Sequence, residues 1–191
     1  MYGQLIIFKK ENIMKKTIVT LATALSAMTV SAANFVSLDV DRVKDDKTGV
    51  VSHAQYVRAG VDAFGLNLGL QARTAAFEGG GMVNSVEGTV GKQLGLLNVF
   101  GGLGHDNGFN GGRSFQYGLL GGSVGMPFGP VYAFAGAKTR VNWNDRNPNQ
   151  TVAFAGVSRN LTKSVSVNAN WSQSRQDIKE TSWGLGVRVG F

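Results

Sequence analysis

The sequence predicts an all-β protein: an antiparallel up-and-down barrel of ten strands, with eight as the alternative if two weaker hairpins merge. Three observations lead there. From Asn34 to Phe191 the dominant hydrophobic period is two, the period of a strand with one apolar and one polar face. Polar connections and tight turns alternate along the chain, as a run of hairpins requires. Charged residues make up 16% of the 191 residues, against about 25% in soluble domains, yet hydrophobic residues reach only 43%. That is too few charges for a soluble surface and too few apolar runs for a helical membrane bundle.

The first strand is read at 34–43, where Val36, Leu38 and Val40 alternate with Ser37, Asp39 and Asp41. The second and third, 50–61 and 65–76, continue the pattern; Leu66, Leu68, Leu70 and Ala72 share one face of the third. The fourth spans 82–92 and the fifth 95–104, with Leu97, Val99, Gly101 and Leu103 on one side. The sixth and seventh span 114–126 and 131–142. In the eighth, 150–160, Val152 and Phe154 compete with Ala153 and Ala155 for the same face. The ninth, 164–174, places Val165, Val167, Ala169 and Trp171 together; the tenth, 182–191, places Trp183, Leu185, Val187, Val189 and Phe191 together. Most segments are long enough for a tilted strand to cross a bilayer.

Tight connections are expected near Asp62–Phe64, Lys92–Leu94, Pro127–Pro130 and Asn160–Lys163. Longer polar ones are expected at Lys44–Gly49, Phe77–Gly81, His105–Arg113, Asn144–Asn149 and Arg175–Thr181. Short turns on one side and longer loops on the other mark a transmembrane barrel. An even strand count puts both ends of the mature chain on the tight-turn side.

Residues 14–33 read as an export signal. Met14-Lys15-Lys16 precedes an apolar stretch to Val30 and the small residues Ser31-Ala32-Ala33. The stretch is shorter than the ~20 apolar residues of a spanning helix. Cleavage is expected after Ala33, or after Ala32, and residues 1–13 as an upstream extension of the reading frame. Removing 1–33 leaves 15 basic against 11 acidic residues, a net charge of +4 instead of +7. No Lys/Arg cluster with interleaved aromatics supports nucleic-acid binding. With no cysteine, disulfide scaffolds and thiol nucleophiles are excluded.

Periodicity alone does not say which face looks outward. Charge placement does. The faces 36/38/40, 66/68/70/72, 97/99/101/103, 165/167/169 and 185/187/189 carry no charge, whereas Asp39, Asp41, Arg58, Asp62, Arg73, Glu87, Lys138, Arg140 and Arg188 fall on the other faces. An ionised group facing mid-bilayer lipid costs about 2–4 kcal/mol, so the charged face is assigned to the lumen. Trp143, Trp171 and Trp183 then fall at the loop rim, and Phe64, Phe128 and Phe191 at the opposite rim, forming aromatic girdles. A soluble barrel would reverse the two faces.

The chain stops on Phe191, at the end of the alternation Trp183, Leu185, Val187, Val189, Phe191. A final strand of this form resembles the terminal signature of Gram-negative outer-membrane proteins, and Gly184 to Phe191 is similar to the ends of bacterial porins and small OmpA-like barrels. The resemblance implies an outer-membrane location among lipid and lipopolysaccharide, with the last strand read by the barrel-assembly machinery. This length is too short for a sixteen-stranded porin, and no periplasmic domain of the OmpA type is expected.

The inferred lumen charges are nearly balanced. Two readings follow: a paired network that plugs and stiffens the barrel, with Asp39 and Arg188 as candidate partners, or a narrow, weakly selective pore. The role expected is structural or passive small-solute permeability. The alternative is an adhesin or receptor using loops such as 105–113 and 144–149. Catalysis is not expected. His105-Asp106, Asp45-Asp46 and Ser52-His53 read as solvated loop and strand-end residues, and scattered His and Asp make no metal set. No cofactor is expected.

Overall fold

The computed structural model describes residues 34–77, 81–107, 114–143, 149–176 and 179–191. The expected signal segment and upstream extension lie outside the described residues, as do 78–80, 108–113, 144–148 and 177–178 of the expected loops. Ten strands follow in order: β1 (Phe35–Asp45), β2 (Val51–Ala63), β3 (Leu66–Phe77), β4 (Met82–Leu94), β5 (Leu97–Asp106), β6 (Phe115–Phe128), β7 (Val131–Asn142), β8 (Gln150–Asn160), β9 (Val165–Gln176) and β10 (Glu180–Gly190). Each pairs antiparallel with its sequence neighbours. β1 also pairs with β10, from Phe35 opposite Gly190 to Asp45 opposite Glu180, and this closes the barrel. The count is ten, not the alternative eight.

The first two tight turns sit later than the sequence indicated, and the backbone gives the reason. Ala63 still pairs with Leu66, so only Phe64 and Gly65 form the turn, and both have positive φ (54° and 74°). That is the mirror-image hairpin turn whose twist matches its strands. The next turn has Gly95 (φ 64°) in its first central position and the third has Gly129 (φ 59°), where glycine adopts this conformation without strain. At the loop end the strands also run further than expected. β5 reaches Asp106 and β10 starts at Glu180, so both residues lie on strands and not in loops.

Alternation sorts the side chains as the charge argument required. Leu38, Val40, Leu68, Leu103 and Leu120 are exposed on the outer surface, and Leu185 is 71% exposed. Asp39 is 0% and Glu87 3% exposed, with Ser37, Ser52, Ser174 and Ser182 also buried inside. In β8 the competition is resolved: Val152 and Phe154 face the interior, while Ala153, Ala155 and Val157 face outward. Apolar side chains outward and charges inward is the arrangement of a barrel in hydrocarbon, and the reverse of a soluble one. Inside, a small apolar cluster of Val43, Ala54 and Ala75, packed on Tyr56, lies toward the loop end of β1–β3.

Candidate functional site

The site is the lumen, and it is built around two buried carboxylates. Glu87, on β4, sits across the bore from β7. Lys138 Nζ lies 2.6 Å from Glu87 Oε2, and Arg140 pairs with Oε1. Tyr117 donates its hydroxyl to Oε1 at 2.9 Å. Arg140 also donates to Gln150 Oε1 at 2.6 Å and lies over the Tyr117 ring, 5.3 Å from its centroid. One carboxylate thus draws together side chains of β4, β6, β7 and β8.

Asp39, on β1, is the second centre. It takes Arg58 of β2 at 2.6 Å, Asn168 of β9 at 2.5 Å and Ser37 at 3.1 Å. Gln71 of β3 joins the two centres: its carbonyl accepts from Arg58 Nε at 2.8 Å and its amide donates to Glu87 at 3.4 Å. The result is a continuous polar belt from β9 through β1, β2, β3 and β4 to β7 and β8. Every one of these residues sits at an alternate strand position, so a single alternation points them all inward.

The other lumen charges join around this belt. Arg73 approaches Glu180 at 4.0 Å and lies 5.8 Å from the Tyr56 ring centroid. Ser182 donates to Asp41 at 3.3 Å, and Asn67 donates to Asp62. Arg188 stacks on Phe35, 3.5 Å from the ring centroid. This corrects one expected pairing: Asp39 bonds Arg58, not Arg188. Register explains why both were within reach, because Arg58 and Arg188 lie opposite the same residue, Ser37, on its two neighbouring strands.

Several residues of the belt were not singled out in the sequence. Gln71, Gln150, Asn168 and Tyr117 are uncharged, and a charge-based reading passes over them. Asp106 and Glu180 were placed in loops because the strand ends were drawn short. Their signal was the alternation itself, which continues beyond the last apolar residue.

The belt does not fill the barrel. A cavity of ≈ 680 Å³ remains, lined from Asp62, Asn67 and Asn98 near the tight turns to Gln150, Glu180 and Ser182 near the loops. Glycine keeps it open. Lumen-facing rings lie against glycines of neighbouring strands: Phe35 on Gly60, Tyr117 on Gly104, Phe134 on Gly156 and Phe154 on Gly136, each where a Cβ would collide with the ring. The rings are flattened on the wall and do not project into the space. Likewise a Cβ at Gly184 or Gly186 would meet the Asp41 or Asp39 carboxylate. The glycines of β5 and β10 thus make room for a tyrosine and two carboxylates.

Around the outside, Trp171 and Trp183 face each other across β9 and β10 with ring centroids 6.1 Å apart. Each is the last apolar outward residue before a polar one: Gln173 follows the first, Thr181 precedes the second. Trp143 is exposed just past β7, while Phe64, Phe128 and Phe191 are exposed at the tight-turn end. Leu185, Val187 and Val189 of the last strand pair with Val40, Leu38 and Val36, and the Phe191 N–H donates to Asn34 O at 3.0 Å.

The residue pairs weighed for catalysis diverge. His105 points outward and Asp106 inward; Ser52 is buried inside and His53 is outward. Asp45 accepts the N–H groups of Lys47 and Thr48, and Asp46 accepts the Thr181 hydroxyl, so both carboxylates serve the β1–β2 turn and its neighbour. Among the described residues, no cluster of His, Asp and Glu could hold a metal ion.

Closed strand pairing, an apolar exterior and a charged interior define a small transmembrane β-barrel of the outer-membrane type. No family model and no curated protein matches the chain. Among solved structures it is similar to the translocator domain of the autotransporter NalP from Neisseria meningitidis, with 14% identity over 95% of this chain and 96% of that one (TM-score 0.48). It is also similar to Neisserial surface protein A, with 13% identity over 84% of this chain and 98% of that one (TM-score 0.47). The KdgM porin in complex with disordered oligogalacturonate shares 10% identity over 81% of this chain and 99% of that one (TM-score 0.49). Such likeness concerns the fold.

Proposed function

We propose that this chain forms a narrow, passive pore for small polar solutes in the outer membrane, with the Glu87–Gln71–Asp39 belt as its constriction. The observation that carries the reading is the ≈ 680 Å³ cavity, whose wall includes polar residues from both ends of the strands. Eight strands leave an interior that side chains fill, and sixteen or more leave a wide channel; ten with glycine-flattened rings fall between. Acidic Asp39, Asp41, Asp62, Glu87, Asp106 and Glu180 face Arg58, Arg73, Lys138, Arg140 and Arg188, which makes for weak ion selectivity. The reading includes cleavage of residues 14–33 during export, checked by N-terminal sequencing of membrane-extracted protein, and recognition of the Trp183–Phe191 strand by the assembly machinery, checked by loss of the heat-modifiable outer-membrane form when Phe191 is deleted. The decisive experiment is conductance. Purified protein in planar bilayers should give small, reproducible, ohmic steps, and proteoliposomes should leak small sugars. A barrel that inserts but passes neither ions nor sugars ends the proposal.

A further inference from the structure

The outer surface carries a second site, on the opposite side of the wall from the lumen. A groove of ≈ 900 Å³ runs along the outward faces of β7, β8, β9, β10 and β1. Its course follows two adjacent rungs of the sheet. One rung is Ala133–Val157–Ala169–Leu185–Val40; the other is Ala155–Trp171–Trp183–Arg42–His53. Ala155 and Ala169 leave the sheet low, and the indoles of Trp171 and Trp183 stand above it. Four inter-strand steps of about 4.8 Å carry each rung roughly 19 Å across the strands, and with strands tilted about 35–45° this climbs roughly 11–14 Å, most of one leaflet of a ~30 Å hydrocarbon core.

The groove is apolar along most of its length and cationic at one end. Arg42 of β1 supplies the charge at that end, with His53 of β2 beside it. Lys44 is the next outward residue of β1, and Arg175 is outward at the loop end of β9. The nearest carboxylates, Asp45 and Asp46, keep their charge but are directed to the β1–β2 turn and to the Thr181 hydroxyl. At the loop end of β4–β8 the described outward residues include Asn84, His105, Gln116, Thr139 and Thr151 and no lysine or arginine. Among the described outward residues of the loop end, lysine and arginine therefore gather where the groove ends. A hydrocarbon-facing trough that terminates in positive charge at the headgroup level matches a lipid bearing both an acyl chain and a phosphate.

We infer that this groove holds an acylated lipid with a phosphate-monoester headgroup, the chemistry of lipid A, its chain on Ala155 and Ala169 and its phosphate at Arg42 and Lys44. The inference rests on the transmembrane reading and is independent of conductance. The test uses the full chain carrying Trp143→Phe, so that fluorescence reports Trp171 and Trp183, in phosphatidylcholine nanodiscs. Brominated phosphatidic acid and brominated phosphatidylcholine serve as quenchers. Half-quenching is expected at a mole fraction roughly thirtyfold lower for the phosphatidic acid, the order set by two cations at an anionic headgroup. Arg42→Gln with Lys44→Gln should bring the two lipids level, and Ala155→Leu, which fills the trough from outside, should weaken quenching by both. Equal quenching before any charge is removed overturns the site. So does phosphatidic-acid preference that survives the charge variants, or protection of the indoles that grows with protein density and marks a second copy as the occupant. A chain quenched by neither lipid has not inserted, and that removes the membrane reading along with the site.

Discussion

The two carboxylate centres of the lumen look alike and are built differently. Glu87 has two cations, Lys138 and Arg140, whose side chains are only 16% and 19% exposed. Asp39 has one, Arg58, which is 31% exposed, and satisfies the rest of its valence with Asn168 and Ser37. Glu87 is therefore the counter-charge for buried cations, while Asp39 is an acceptor for donors that have other places to go. A buried ion pair adds little net stability compared with apolar packing, but removing one member leaves the other uncompensated. The same substitution type should thus have unequal effects at the two centres.

The largest expected effect is at Glu87. Glu87→Gln leaves two buried cations without their carboxylate and should cost about 3–5 kcal/mol, read as a fall in the urea midpoint of the detergent-solubilised barrel. Adding Lys138→Met to that variant should restore part of the loss, since only Arg140 then lacks its partner. Asp39→Asn should cost less, about 1.5–3 kcal/mol in the same assay, because Arg58 keeps Gln71 and the Tyr56 ring at 4.8 Å. Equal losses at the two positions would break the distinction.

Gly104→Val should cost about 1–3 kcal/mol by pushing the Tyr117 ring off the wall and its hydroxyl away from Glu87. Gly88→Ala, where an added Cβ meets nothing within 4 Å, is the matched control and should stay within about 0.5 kcal/mol. The smallest effect belongs to the bridge. Gln71→Leu should cost about 0.5–1.5 kcal/mol. Its value is in a double-mutant cycle: losses at Asp39 and Glu87 should couple when Gln71 is present and become additive when it is replaced.

Most of the fold was legible because one rule, alternation, governs nearly every residue after Asn34. That rule also sent Asp39, Glu87, Lys138 and Arg140 inward without any knowledge of the fold. What it could not supply was register. Arg58 and Arg188 face Ser37 from opposite sides, and only in the closed barrel does Arg58 turn to Asp39 while Arg188 turns to Phe35. Turn position escaped for a similar reason: Phe64 adopts positive φ, which a bulky side chain rarely does, so the strand was ended before it. The uncharged bridges Gln71 and Asn168 had no signal beyond lying on the right face. The outer groove was invisible in the sequence because its two rungs draw single residues from five or more strands.

The rings laid on glycine have a consequence for how such a barrel can be adjusted. Each ring is hinged at its own strand and held back only by a missing methyl group on the next. Substituting serine or alanine at Gly60, where an added Cβ meets only the Phe35 ring, would swing that aromatic vane inward, whereas at Gly136 or Gly156 the same Cβ would also meet the Gly122 or Ala169 carbonyl and shift a strand. Aperture in this architecture is therefore set position by position, by the smallest possible change in a side chain, and not by the number of staves in the cask.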